Sequence, residues 1–292
     1  MTESAQVVKM RGVGGSGASN PFLPHVATLE AVSDLTPDVR LLRLLLDDPE
    51  ARRSFRYRAG QFAFVSAFGV GEAPFGLTSE WPGDEGLEFA IRRVGTVSRA
   101  LHELEPGAKV GVRGPFGNGF PLQDYQGKHI IIIGGGIGMA PLRPVINTLL
   151  QHRQDYGDLL IINGARTPRD LVFAAEFDTW ASSPRTRLEL TVDAGDGEWR
   201  GRVGLIPNVV RDLAPSSENS IAIICGPPIM IRFVLAELRN LGFAPQQIVT
   251  TLEAKMKCGL GKCARCNVGD SYICRDGPVF NMEQISTFIE QL

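Results

Sequence analysis

Two domains, an antiparallel β-barrel followed by a parallel α/β sheet, with a small cysteine-rich lobe after them, are predicted by three features of this 292-residue chain. Short strand-like runs broken by turns fill its first part. Apolar runs alternating with helical patterns fill its middle, and four of its five cysteines crowd into the last eighth.

The barrel, expected over residues 22–124, rests on HVATLEAV, VRLLRLLL, QFAFVSAF, LEFAIRR and AKVGVRG, each bounded by Gly, Pro or Asp. Their spacing suits a small closed antiparallel sheet. One short helix is expected from Thr96-Val97-Ser98 through Leu104. Residues 1–21 are Gly/Ser-rich and read as a flexible tail or a strap for a partner.

From Lys128 the rhythm changes. HIIIIG is apolar throughout, as a strand buried on both faces must be, and GGIGMAPLRPVINTLLQH after it reads as a helix. DLLIINGAR, RLELTVD and SIAIICG are further strands, with helical patterns at AAEFDTWAS, LIPNVVRDLA and IMIRFVLAELRNLG. Alternation of this kind predicts a parallel sheet covered on both faces, over residues 125–251. The segment 252–292 is loop-rich and holds the cysteines.

Charge and hydropathy exclude some classes. A formal net charge of −2 gives no general attraction for nucleic acid or an anionic membrane. The opening MTESAQVVKMRGVGGSGASN lacks the apolar core of a secretory signal. HIIIIGGGIGMAPL is broken by Gly and Pro before membrane-spanning length. The expectation is a soluble, cytoplasmic protein that neither inserts into a membrane nor binds nucleic acid.

Cys258, Cys263, Cys266 and Cys274 follow C-x4-C-x2-C-x7-C. A disulfide framework would spread its bridges through a secreted fold, so a tight cluster points to metal. The spacing is that of plant-type 2Fe–2S sites. Gly259 and Gly261 let backbone amides wrap closely round inorganic sulfur, and four thiolates match the charge of ferric iron. A structural zinc site is the alternative, although that usually shows two C-x2-C pairs.

Two glycine-bearing turns follow apolar strands. Gly134, Gly135, Gly136, Ile137 and Gly138 place amides and a helix start where a pyrophosphate can sit. Met139, Ala140 and Pro141 follow, departing from G-x-G-x-x-G, with Pro141 suited to a first helical turn. Such a loop also serves as a plain tight turn. Cys225, Gly226, Pro227, Pro228, Ile229 and Met230 lie after SIAIIC, at the strand end where open α/β sheets bind ligands. A lone Cys there is otherwise a small buried hydrophobe. In the barrel, Gly95–Ser98 offers amides and a hydroxyl at a helix start, a second phosphate site, while Arg92 and Arg93 read equally as surface charges. His25, His102, His129 and His152 are scattered and form no ligand set.

The order YRAGQF, PFGLTS, RRVGTVS, GGGIGMAP, NGAR, CGPPIM and a cysteine cluster closed by CRDGPVF resembles the ferredoxin–NADP reductase superfamily, over roughly residues 22–280. Within it the chain is similar to the branch with a C-terminal 2Fe–2S cluster. That branch includes electron-transfer subunits of dihydroorotate dehydrogenase, sulfite reductase B subunits and gamma subunits of cytoplasmic NAD(P)-linked nickel–iron hydrogenases. MKCGLGKCARCNVG and YICRDGPVF look closest to the hydrogenase gamma subunits.

The resemblance implies three cofactors: FAD, a 2Fe–2S cluster, and NAD or NADP. Phe75 takes the aromatic position of the family's R-P-Y-S motif, beside the flavin, with Pro74, Gly76, Leu77 and Thr78 around it. Ala73 stands where that motif has Arg, which leaves more of the pyrophosphate to Gly95, Thr96, Val97 and Ser98. Ala63, Phe64, Val65, Ile91, Arg92 and Arg93 are implied to line the flavin pocket. Gly134–Gly138, Ala140 and Pro141 meet the nicotinamide nucleotide's pyrophosphate, and Gly164, Ala165 and Arg166 its adenosine half. Cys225, with Gly226, Pro227, Pro228 and Met230, lies beside the nicotinamide as the catalytic position. The four late cysteines hold the cluster.

Nicotinamide gives two electrons as a hydride and iron–sulfur clusters take one, so flavin must stand between them. No acid–base triad is needed, and none is visible. The implied function is an NAD(P)H-dependent flavin oxidoreductase subunit serving other redox subunits, foremost those of a cytoplasmic nickel–iron hydrogenase. Dihydroorotate dehydrogenase or sulfite reductase is the alternative, and a non-catalytic redox sensor the alternative of another class. Arg166 and Arg169 leave NAD against NADP open.

Overall fold

The computed structural model describes residues 20–80 and 86–285; apart from Asn20 and Pro21, the expected tail lies outside the described residues. The first sheet has six antiparallel strands: β1 (His25–Thr36), β2 (Val39–Leu46), β3 (Phe62–Ala67), β4 (Gly71–Gly76), β5 (Leu87–Arg92) and β6 (Lys109–Phe116). Their spatial order is β4-β3-β6-β1-β2-β5. Alternation sets which faces are buried. In β2, Leu42, Leu44 and Leu46 point inward while Arg43 lies on the opposite face, and Val39 packs instead into the core shared with the α/β domain. Leu29, Val65, Phe89, Val110 and Val112 complete that barrel core.

Two barrel elements differ from expectation. GEAPFG has no alternating apolar pattern, yet it forms β4, because Pro74 is tolerated at a sheet edge where only β3 pairs with it. A helix, α1 (Pro49–Ser54), is capped by Asp48, whose side chain accepts from the Glu50 amide, with Pro49 in its first turn. The expected helix is α2 (Thr96–His102), and His102 Nε2 lies 2.7 Å from the Ile91 carbonyl.

The second sheet contains β7 (His129–Gly135), β8 (Leu159–Ala165), β9 (Thr186–Val192), β10 (Arg202–Val203), β11 (Ser220–Cys225) and β12 (Ile248–Thr251), all parallel. Connecting them are α3 (Arg143–Gln151), α4 (Phe177–Ser182), α5 (Ile206–Leu213) and α6 (Pro228–Asn240). The cysteine segment folds as a hairpin, β13 (Asn267–Val268) and β14 (Ser271–Tyr272), then α7 (Ile273–Asp276). It ends in β15 (Val279–Asn281), which joins the large sheet antiparallel to β12.

In HIIIIG, Ile130 and Ile132 face α3 and α4, whereas Ile131 and Ile133 face α5, α6 and the cysteine lobe. The strand order β10-β9-β8-β7-β11-β12-β15 reverses direction between β7 and β11. That reversal is the point at which open α/β sheets bind ligands, at the carboxyl ends of the two strands.

The helix expected directly after the glycine loop begins later. Gly136–Met139 is a single 3-10 turn, and α3 starts at Arg143. Pro144, not Pro141, occupies the first turn of α3. A continuous helix through this stretch would drive the Pro144 ring into the Ala140 carbonyl.

Candidate functional site

Cys225 lies opposite Gly134 across β11 and β7, so the two strand-end turns lie side by side. They touch backbone to backbone. A Cβ on Gly138 would collide with the Cys225 carbonyl, and one on Gly135 or Gly226 with the Met230 side chain. Gly136 adopts a φ of +55°, in the left-handed region that favours glycine. The barrel closes the other side. Pro141 lies 3.7 Å from a Cβ position on Gly76, and Arg92 Nη2 lies 3.6 Å from one on Gly136. The contacts thus join the Gly134–Gly138 turn to Cys225, Gly226, Pro227 and Met230, and bring Pro141 beside Gly76 and Arg92 beside Gly136 from the barrel.

Cys225 is buried, and burial pushes its thiol up to about 12 against the opposing hydrogen bond that Thr251 donates to it. It is a neutral thiol packed in the core with Ile132, Ile223 and Val249.

The other singled-out positions divide by exposure. Ala63, Val65, Leu77, Thr78 and Ile91 are enclosed at 0% exposure and present no surface to a ligand. Phe64 is buried as well and packs toward the cysteine lobe. Pro74, Phe75 and Gly76 are half-buried on edge strand β4. Arg92 pairs with Asp38, while Arg93 turns to a separate hollow with Arg40, His102 and Arg169. Gly164 is a packing glycine, since a Cβ there would strike Ile206 of α5. Ala165 is buried and Arg166 exposed.

At the start of α2, Ser98 Oγ accepts from the amides of Val94 and Gly95, at 3.0 and 2.8 Å. Those donors are therefore occupied, and the first-turn amides of Thr96 and Val97 are what this end offers an anion. Nothing lies within 4 Å of a Cβ position on Gly95, so the approach is open.

The four late cysteines are all free thiols; Cys258, Cys266 and Cys274 are buried and Cys263 is exposed. The loop between them folds back on the sulfurs. Leu260 and Lys262 donate their amides to Cys258 Sγ at 3.3 and 3.4 Å, and Gly261 donates to Cys274 Sγ at 3.1 Å. Gly259 and Gly261 adopt φ of +76° and +69°, which this winding requires. Burial opposes ionisation of Cys258, but the amides of Leu260, Cys263 and Lys262 outweigh it and lower the thiol to about 6. Burial and the adjoining Cys266 raise Cys274 to about 12.

Cys263 neighbours Cys258, and Cys274 neighbours both Cys266 and Cys258, so the four sulfurs face one another within this loop. Among the described residues no three His, Cys, Asp or Glu side chains converge to hold a single ion. Four cysteines on one wound loop, with amides aimed at sulfur and a C-x4-C-x2-C-x7-C spacing, fit a 2Fe–2S cluster better than the paired C-x2-C pattern usual for zinc.

Sequence reasoning missed two arginines. Arg143 on α3 donates to the Thr78 carbonyl at 3.0 Å, to Glu88, and to Glu176 at 2.7 Å, tying the α/β domain to the barrel. Burial raises the Glu176 carboxyl even beside that guanidinium. Arg113 on β6 joins the barrel to the cysteine loop. An arginine in a strand pattern carries no local sign of a partner so distant in sequence.

Comparison with known proteins agrees with this arrangement. The oxidoreductase FAD-binding domain model matches residues 26–120 and the oxidoreductase NAD-binding domain model 132–236. The iron–sulfur cluster binding domain of dihydroorotate dehydrogenase B matches residues 253–286. The sulfhydrogenase 1 gamma subunit of Pyrococcus furiosus is 37% identical over 268 residues, covering 89% of this chain and 91% of its own. A probable dihydroorotate dehydrogenase B (NAD+) electron-transfer subunit of Methanocaldococcus jannaschii is 34% identical over 230 residues, covering 78% and 80%. An NADH-dependent reduced ferredoxin–NADP oxidoreductase shares the fold, with a TM-score of 0.71 and 22% identity over 95% of both chains. The chain belongs to the ferredoxin–NADP reductase superfamily, in the branch whose flavin- and nicotinamide-binding domains are followed by an iron–sulfur domain, and it is an electron-transfer flavoprotein of that branch.

Proposed function

We propose that this chain is the nucleotide-reactive subunit of a cytoplasmic, multi-subunit nickel–iron hydrogenase, with a 2Fe–2S cluster as its electron exit. The observation that carries this reading is its 37% identity to a sulfhydrogenase gamma subunit over nearly the whole of both chains. A second gamma subunit from the same organism is 35% identical over 278 residues. No helix of the described residues is long and apolar enough to cross a membrane.

When bound, the cofactors divide the chemistry: nicotinamide supplies a hydride, the cluster carries single electrons, and flavin handles both. The chain's own residues hold and shield. Pro74–Gly76 would border the flavin ring, and the amides of Thr96 and Val97 its pyrophosphate. Gly134–Pro141 would take the nicotinamide nucleotide's pyrophosphate, with Arg92 beside Gly136, and Arg166 is the exposed group for its adenosine half. Cys225 and Gly226 would wall the nicotinamide and exclude water. Cys258, Cys263, Cys266 and Cys274 would ligate the two irons.

A second reading, an electron-transfer subunit of dihydroorotate dehydrogenase, is favoured by the cluster-domain match and by 34% identity to such a subunit. Isolation of the native complex separates the two. The hydrogenase reading expects nickel and NAD(P)-coupled hydrogen turnover; a nickel-free complex that turns over dihydroorotate overturns it.

A further inference from the structure

The Arg113 guanidinium is only 3% exposed, yet it lies at a junction of three elements. It forks onto Glu72 of β4, Nη2 to Oε1 at 2.6 Å and Nε to Oε2 at 3.2 Å. Its Nη1 donates to the Cys258 carbonyl at 2.8 Å and its Nη2 to the Lys257 carbonyl at 3.0 Å. Its carbon centre lies 4.3 Å from the Phe64 ring centroid and 5.2 Å from that of Phe116. Phe64 is its direct neighbour across β3 and β6, and Phe64 faces Pro74 across β3 and β4.

A charge this deeply buried persists only when its donors are met. Here they are met by the loop that carries the first of the late cysteines and by the strand that carries Pro74–Gly76. We propose that Arg113 is a positioning residue that locks the Cys258 loop to the edge strand beside the flavin and sets the cluster's midpoint potential. This rests on the reading that Cys258 ligates a cluster and that β4 borders a flavin.

The chemistry requires arginine. Lysine supplies one point of charge, whereas the planar fork meets a carboxylate and two carbonyls while stacking on aromatic faces. The charge also acts on the cluster. Reduction adds negative charge, so a nearby cation favours the reduced state and a nearby carboxylate opposes it. Arg113 and Glu72 therefore pull the potential in opposite directions. A merely structural role would not separate their signs.

The test uses the full chain, purified anaerobically with its cofactors, as wild type, Arg113→Met, Arg113→Lys and Glu72→Gln. Midpoint potentials come from EPR-monitored redox titration, and loop mobility from hydrogen exchange over residues 257–262. Arg113→Met is expected to lower the potential and Glu72→Gln to raise it. Arg113→Lys keeps the potential close to wild type while exchange in the loop rises about ten- to hundredfold, from the lost charge-assisted bonds. Potentials that stay fixed or move the same way overturn the proposal, and so does unchanged loop exchange in Arg113→Lys. If Arg113→Met does not fold, the Glu72→Gln potential and the Arg113→Lys exchange decide it. A wild-type protein lacking iron would defeat the cofactor reading instead, and the loop exchange of Arg113→Lys would still report on positioning.

Discussion

Thr251 Oγ1 lies 3.0 Å from Cys225 Sγ and donates its hydrogen to the sulfur, at the carboxyl end of β11. With the thiol raised from 9 to about 12 by burial, Cys225 stays protonated throughout the working range. A group acting as general acid or base would cost roughly a hundred- to ten-thousandfold in rate when replaced. Cys225→Ser is expected to lose less than about tenfold in NAD(P)H-dependent dye reduction, because the hydroxyl keeps the Thr251 contact. Steady-state kinetics at pH 7 checks this.

The same shift has a sign for stability. The folded state holds the Cys225 proton more tightly than the unfolded state does. Its contribution is complete below pH 9 and is lost as pH rises toward about 12. Urea unfolding at stepped pH should show a fall over that window, and Cys225→Ala should make it shallower, the buried Tyr57 and Tyr125, also raised to about 12, accounting for the rest.

Gly138→Ala places a Cβ against the Cys225 carbonyl, a backbone group that cannot swing aside. We expect a loss of about 1–3 kcal/mol in stability and weaker nicotinamide-nucleotide binding. Thermal unfolding with and without nucleotide measures both.

Gly95 has open space at its Cβ position and is the N-cap of α2. Gly95→Asp therefore fits sterically, and Asp is a good N-cap, so the fold should hold. Its negative charge opposes a pyrophosphate at the Thr96 and Val97 amides. The purified variant is expected to lose FAD and keep its iron; full flavin occupancy would place the phosphates elsewhere.

Cys263 is the exposed member of the four cysteines, so Cys263→Ser tests cluster ligation with the least disturbance of packing. EPR of the reduced protein should lose or change its signal while flavin content stays at the wild-type level.

What the sequence made legible was local. C-x4-C-x2-C-x7-C carries its chemistry in its spacing, and HIIIIG announces a strand buried on both faces. Periodicity alone places the start of α3 too early, because it ignores Pro144, which stops a helix from running back through Ala140. β4 escaped because an edge strand with one pairing partner needs no apolar alternation. Ala63 and Val65 follow a turn that suggests a pocket, but strand period turns both into the barrel core. Arg113 was illegible for a different reason: its partner Cys258 is 145 residues away. Only the folded chain brings a strand arginine to a cluster loop.

The most direct test of the central claim, that electrons pass from nicotinamide through flavin to a 2Fe–2S cluster in this one chain, is anaerobic titration of the purified protein with NADH or NADPH, followed by low-temperature EPR. Two irons with acid-labile sulfide are expected, and a reduced-cluster signal that grows with added nucleotide in wild type but not in flavin-free Gly95→Asp. A single zinc, or a cluster reduced equally well without flavin, would contradict that claim.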